Sequence, residues 1–320
     1  MKNILVVGAA GQIGSELTLS LREIYGNDNV VAGIRKTKPS EKLAESGPYE
    51  VVDALDVDNL VSVVDKYNID GIINMAAILS GTGEKNPMLA WDVNMNGLIN
   101  ILELARERQM KQVLVPSSIA VFGPTTPVDN TPQETILKPT TMYGVTKVAG
   151  ELLGDYYVQK YGLDVRGLRY PGIISHETEP GGGTTDYAIA IYYEAIKNKK
   201  YTCFVNENTR LPMMYMPDCL KATIDLLQAD FNDLNHHCDY NVGAMDFTVA
   251  ELAESIKKHI PEFEISYEPD FRQDIADSWP NSVDDSPARK DWGWQHKYDL
   301  DAMTADMLKA IGEKHKKGLI

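Results

Sequence analysis

Cysteine is scarce: Cys203, Cys219 and Cys238 are the only three in 320 residues. An odd count without close spacing excludes a disulfide framework and a cysteine-built zinc site, and fits small apolar residues in a reducing compartment. Long apolar runs are also missing. None approaches the ~20 residues a membrane-spanning helix needs. No signal-peptide pattern stands before the first apolar stretch, so the expected location is the cytoplasm. Basic charge is in deficit: 31 Lys and Arg stand against 46 Asp and Glu, a formal net charge of −15. Nucleic acid and anionic membranes both require a basic face, so neither is an expected partner. The histidines, His176, His236, His237, His259, His296 and His315, contain no His-x-x-x-His or comparable spacing, and no metal is expected. Internal repeats, low-complexity tracts and Ser/Gly linkers are absent as well.

What is present is alternation. Ile4-Leu5-Val6-Val7 has the pattern of a strand buried on both faces. Gly8-Ala9-Ala10-Gly11-Gln12-Ile13-Gly14 follows, and Leu17, Leu21 and Ile24 then mark a helix from Ser15 to Tyr25. Glycines there permit a tight turn and close backbone approach, and the helix start offers free N–H groups to a pyrophosphate. Further strands are expected at Val30–Arg35, Glu50–Leu55, Ile72–Ala77 and Val113–Ser118. Helices are expected at Asn59–Tyr67, capped by Asp58, and at Asn86–Arg108. Strands and helices alternating over short links imply a Rossmann-type, doubly wound parallel sheet, an α/β fold. In such sheets ligands bind at the carboxyl ends of the strands, where Gly8, Met75 and Ser118 fall.

Beyond Tyr170 the alternation loosens. Pro180-Gly181-Gly182-Gly183-Thr184-Thr185 is a glycine loop leading into a helix, with amides and hydroxyls suited to a carboxylate. Helices are expected at 217–227, 248–259 and 300–313, with short strands at Val242 and Ile265, in a smaller lobe. The expected division is a dinucleotide-binding domain over 1–170, to which roughly 210–245 returns, and a mainly substrate-binding α/β lobe over 171–320.

Tyr143 and Lys147 stand four apart in Thr141-Met142-Tyr143-Gly144-Val145-Thr146-Lys147, on one face of an expected helix. A phenol normally keeps its proton to about pH 10. A fixed ammonium nearby favours the phenolate, and such a pair can take a proton from an alcohol.

Four ordered motifs carry a family resemblance: Gly8, Gly11 and Gly14; Asn94 in Trp91-Asp92-Val93-Asn94; Ser117-Ser118-Ile119-Ala120-Val121-Phe122-Gly123; and Tyr143 with Lys147. Together with Tyr170-Pro171-Gly172 and Met214-Tyr215-Met216-Pro217-Asp218, they make the chain resemble the extended short-chain dehydrogenase/reductases, the group that includes nucleotide-sugar epimerases. Pro116 through Pro127, Gly181 through Tyr187, Pro212 through Met216, and Tyr267 through Pro280 are similar to the short-chain type of L-threonine 3-dehydrogenase within that group.

The resemblance implies a metal-independent oxidation of the β-hydroxyl of L-threonine to 2-amino-3-oxobutanoate, with hydride transfer to NAD. Tyr143, Lys147 and Ser118 would be catalytic. Gly8, Gly11, Gln12, Ile13, Gly14, Arg35, Leu55, Asp56, Met75, Ala76, Ala77, Asn94, Ser117, Tyr170 and Ile173 would hold the cofactor with Tyr143 and Lys147. Ser80, Ser118, Tyr143, Gly183, Thr184, Thr185 and Trp279 would face the substrate. A homodimer through 86–108 and 143–161 is implied as well. One position departs from the pattern: Gly33 stands just before Ile34-Arg35, where an acid usually holds the ribose hydroxyls. NAD is still expected over NADP, with looser discrimination. Two other readings stand beside this one: a nucleotide-sugar 4-epimerase or dehydratase, with Arg210 available for phosphate, and a non-catalytic dinucleotide-binding regulator. The regulator would not need the tyrosine–lysine pair that this chain keeps.

Overall fold

The computed structural model describes residues 1–320. The chain opens with β1 (Ile4–Val7), α1 (Gln12–Tyr25), β2 (Val30–Ile34), α2 (Glu41–Glu45), β3 (Tyr49–Val51), α3 (Val57–Tyr67) and β4 (Gly71–Asn74). Next come α4 (Ser80–Lys85), α5 (Pro87–Trp91), a π-turn over Asp92–Asn96, α6 (Gly97–Glu107), β5 (Gln112–Leu114) and β6 (Ser117–Ser118). After α7 (Met142–Tyr161) lie β7 (Val165–Arg166), β8 (Leu168–Tyr170) and β9 (Gly172–Ile174). The rest supplies α8 (Tyr187–Lys197), β10 (Lys200–Cys203), β11 (Arg210–Tyr215), α9 (Met216–Gln228), β12 (Tyr240–Asn241) and β13 (Met245–Thr248). It ends with α10 (Val249–Lys257), β14 (Glu264–Tyr267), α11 (Arg272–Ala276), α12 (Ser286–Trp292) and α13 (Leu300–Lys316).

The first sheet is fully parallel, in the order β3-β2-β1-β4-β5-β7. Its central strands are buried on both faces, as their unbroken apolar composition requires. Leu17, Leu21 and Leu226 pack on one side, and Leu60, Ile101 and Leu102 on the other. The chain crosses over after β3, so the ligand crevice lies at the carboxyl ends of β1 and β4. Met214, Met216, Cys219, Leu226, Tyr240 and Val242 pack in the same core cluster as Ile4, Val6 and α1, while α8, α10 and α13 share a separate core with Tyr215 and Phe247.

Several element boundaries differ from the sequence reading, each for a local reason. The expected strand Val113–Ser118 breaks at Pro116, which has no N–H to donate. The second piece, β6, pairs with β8. The strand expected at 50–55 ends at Val51, and Asp53 beyond it binds Arg35. Similarly, the strand expected over 72–77 ends at Asn74. The cap of α3 is Asp56, not Asp58: its carboxylate accepts the Asn59 amide at 3.0 Å. The helical stretch 86–108 carries a π-turn that swings Asn94 towards Ile78. Val242 adjoins β12, which pairs with β8 of the dinucleotide half, and is not part of a strand in the smaller lobe.

The turn after β1 shows why glycine is needed. Gly8 has φ +84, and a Cβ there would lie 2.7 Å from the Ala76 amide nitrogen. By contrast, Gly162 has φ +64 with nothing within 4 Å of an added Cβ. Gly162→Ala should cost about 1 kcal/mol, the left-handed penalty alone. Gly8→Ala must also displace backbone, and its cost should exceed that by at least about 1 kcal/mol in urea unfolding. Equal costs would show that the close approach carries no energy.

Candidate active site

The glycine turn builds one wall of the site. Gly8 and Ala9 both donate their amides to the Gly33 carbonyl at 2.9 Å, which locks the turn to β2. A Cβ on Gly14 would stand 2.3 Å from the Gly8 carbonyl, so α1 starts hard against the turn. Gly11 caps α1 without a side chain, and the first-turn amides of Gln12, Ile13 and Gly14 have no intrahelical acceptor. Free amides at a helix start beside a turn without Cβ atoms are the arrangement a pyrophosphate needs.

The opposite wall is the start of α7. Thr141 caps the helix, its hydroxyl accepting the Gly144 amide at 3.0 Å. A Cβ on Gly144 would lie 2.2 Å from the Ala120 carbonyl. Only glycine lets the helix approach so closely, and the approach sets Tyr143 beside Ser118. Asn94 pins the same helix: it donates to Thr146 Oγ1 at 3.1 Å while its amide group brackets the Ile78 backbone.

Between these walls lies a cavity of about 150 Å³. Of the residues expected to be functional, Gln12, Ile13, Met75, Ala77, Ser80, Ser117, Ser118, Tyr143, Lys147, Tyr170, Ile173, Gly183, Thr184, Thr185 and Trp279 line it. Ala76 and Asn94 line a smaller cavity behind it. Arg35, Leu55 and Asp56 lie off the cavity, after β2 and β3, where Asp56 caps α3 and Arg35 pairs with Asp53 at 2.8 Å. Sequence reasoning missed Asn74, Leu79, Pro116, Ile119, Pro171, Gly172 and Asp186, which also line the main cavity. Most of them stand next in sequence to residues that were expected there. Asn74 was findable as the one polar residue in an apolar strand; its Oδ1 is buried without a partner.

Two expectations about chemistry are corrected. The amides of Gly182 and Gly183 are not free for a carboxylate ligand, because the Asp186 carboxylate accepts both, at 2.7 and 2.8 Å. The glycine loop is instead held over the cavity by Ser80 and Thr184, whose hydroxyls lie 3.0 Å apart. The second correction concerns Tyr143. Burial pushes its phenol up to about 12, and the Ser118 hydroxyl offsets only part of this. Burial also pulls Lys147 down to about 8, with Glu151 opposing. The ammonium donates to the Pro116 carbonyl at 2.6 Å and lies 5.4 Å from the centre of the tyrosine ring, over its face rather than at its oxygen. Desolvation therefore outweighs the lysine's charge in setting the phenol. Arg210, considered for phosphate, is committed to Asp246 and Glu251.

Comparison with known proteins agrees with this geometry. Residues 4–243 match the model of the NAD dependent epimerase/dehydratase family. An uncharacterised epimerase/dehydratase of Staphylococcus haemolyticus is 50% identical over 317 residues, covering 99% of each chain. The structure of L-threonine dehydrogenase from Clostridium difficile is 53% identical with TM-score 0.95, covering 98% of each chain. A monomeric L-threonine 3-dehydrogenase from a metagenome is 48% identical with TM-score 0.93, covering 97% of this chain and 99% of that one. With its parallel sheet, glycine turn and tyrosine–lysine helix, the chain belongs to the NAD-dependent epimerase/dehydratase family of extended short-chain dehydrogenase/reductases and is an NAD-dependent oxidoreductase.

Proposed function

We propose that the protein is an L-threonine 3-dehydrogenase that uses NAD. The observation that carries this reading is the cavity. It places Ser118, Tyr143 and Lys147 together with Ser80, Thr184, Thr185 and Trp279 in about 150 Å³. The hydroxyl-rich lining suits a small hydroxy amino acid, and Arg210, the cation considered for a nucleotide sugar's phosphates, is paired with Asp246 and Glu251.

The residues suit the cofactor. The free first-turn amides of α1 and the bare Gly8 turn would take the pyrophosphate, and Lys147 and Tyr143 would hold the nicotinamide ribose. When bound, the nicotinamide ring supplies the acceptor for a hydride from the substrate carbon. Tyr143 accepts the proton of the β-hydroxyl, and Ser118 hydrogen-bonds the same oxygen and aims it at the phenol. Lys147 favours the phenolate only while it remains an ammonium. The carbon skeleton leaves as 2-amino-3-oxobutanoate.

Preference for NAD over NADP is supported at the end of β2. Arg35 is paired with Asp53, whose negative charge would also oppose a 2′-phosphate. Gly33 contributes no carboxylate, and a Cβ there would press on the Val6 carbonyl and Val52 at 3.0 and 3.1 Å. A homodimer is also proposed. Met88, Leu89, Trp91 and Ile99 on the α5–α6 stretch, and Val145, Leu152, Tyr156 and Tyr161 on α7, leave large apolar groups exposed on two helices packed side by side.

Three outcomes are expected. Tyr143→Phe should lower L-threonine turnover at least ~10²-fold, the usual worth of a positioned acid–base group, and NADH affinity by much less, because Lys147 and the glycine turn remain; near-normal turnover would remove the assignment. The kcat/KM ratio of NAD to NADP should exceed one and fall in Asp53→Asn, whereas a native preference for NADP would contradict the cofactor reading. Sedimentation should give twice the monomer mass, and Leu152→Glu should halve it; a native monomer would refute the dimer.

A further inference from the structure

A second cavity, of about 20 Å³, lies behind Lys147. Its polar lining is Asn74, Asn94, Ser117, Thr146, Lys147 and Glu151, and the rest is apolar. That volume suits one water molecule, which needs roughly 10–15 Å³ and two to four polar partners. Asn74 Oδ1, on a residue 9% exposed, has no other partner. Glu151 stands four residues after Lys147 on α7, so the two share one face of the helix.

Glu151 is unusual in its own right. It is 5% exposed, at the centre of a buried polar chain. Ser117 Oγ donates to its Oε1. Arg169 on β8 holds both carboxylate oxygens, at 2.9 and 2.8 Å. Arg169 reaches Asp239 at 3.5 Å, and Asp239 lies beside His236 at the surface. Burial pushes the Glu151 carboxyl up, but a guanidinium cannot release its proton and would be left without its two-point partner, so the pair stays ionised. The other charges facing Glu151 are therefore Arg169 and, beyond it, Asp239; the carboxylate facing Lys147 is Glu151.

We propose that Glu151 is a positioning residue for the reaction: through one water in the shared cavity its carboxylate keeps Lys147 in place and charged, while Arg169 keeps the carboxylate ionised. This rests on the dehydrogenase reading, in which the ammonium favours the phenolate. Its distinctive consequence is electrostatic and requires no substrate.

The test is a pH titration of the Lys147 side-chain nitrogen by ¹⁵N NMR in the full chain, with and without NADH, assigned with Lys147→Met. Wild type should titrate near pH 8. In Glu151→Gln the midpoint should fall by at least about one pH unit, the usual effect of removing a near opposite charge. Glu151→Asp should restore most of it. An unchanged midpoint in folded Glu151→Gln overturns the proposal. If that variant does not fold because Arg169 is left alone, Glu151→Gln/Arg169→Gln buries no lone charge; loss of the nearer carboxylate should still lower the midpoint, by less because the guanidinium is lost too, and no fall would overturn the proposal. Failure of both to fold would make the pair structural and would equally overturn it. A lowered midpoint with no L-threonine oxidation in wild type would count against the substrate and leave the role of Glu151 standing.

Discussion

The site depends on how closely α7 packs against the break at Pro116. Proline ends β5, the chain resumes as β6, and Gly144 lets the helix touch the Ala120 carbonyl where any side chain would hold it off. From that single contact follow the place of Tyr143 beside Ser118, the hydrogen bond from Lys147 to the Pro116 carbonyl, and the burial of Glu151 against Arg169. The helix is held at two further points, by Thr141 at its cap and by Asn94 at Thr146.

Burial sets the main difficulty of the site. Removing a phenol and an ammonium from water disfavours the charged form of each, and here it pushes Tyr143 up to about 12 and Lys147 down to about 8. Glu151 is the carboxylate that opposes the fall at Lys147, and its buried chain continues through Arg169 to Asp239.

Much of this was legible in the residue order. The doubly wound sheet followed from apolar runs alternating with helical periodicity, and most of the lining residues, among them Met75, Ser80, Lys147, Tyr170 and Trp279, followed from the family resemblance. What escaped was set by tertiary contact. Pro116 splitting a strand, Asp56 rather than Asp58 capping a helix, and Asp186 occupying the amides of its own loop are choices among nearby groups that only packing decides. The sign of the Tyr143 shift escaped for the same reason: helical spacing shows that a lysine is near but not how dry the phenol is. Glu151 went unremarked because an acid four residues after a lysine is ordinary on a solvated helix, and its partner lies on a strand 18 residues later.

Ser80, Thr184, Thr185 and Trp279, proposed to face the substrate, line the same cavity as Ser118 and Tyr143. The most direct measurement is the rise of NADH absorbance when the purified protein and NAD are given L-threonine, UDP-glucose or no substrate. The account predicts NADH, with 2-amino-3-oxobutanoate or its breakdown products, from L-threonine alone. Turnover of UDP-glucose with none of L-threonine would contradict it.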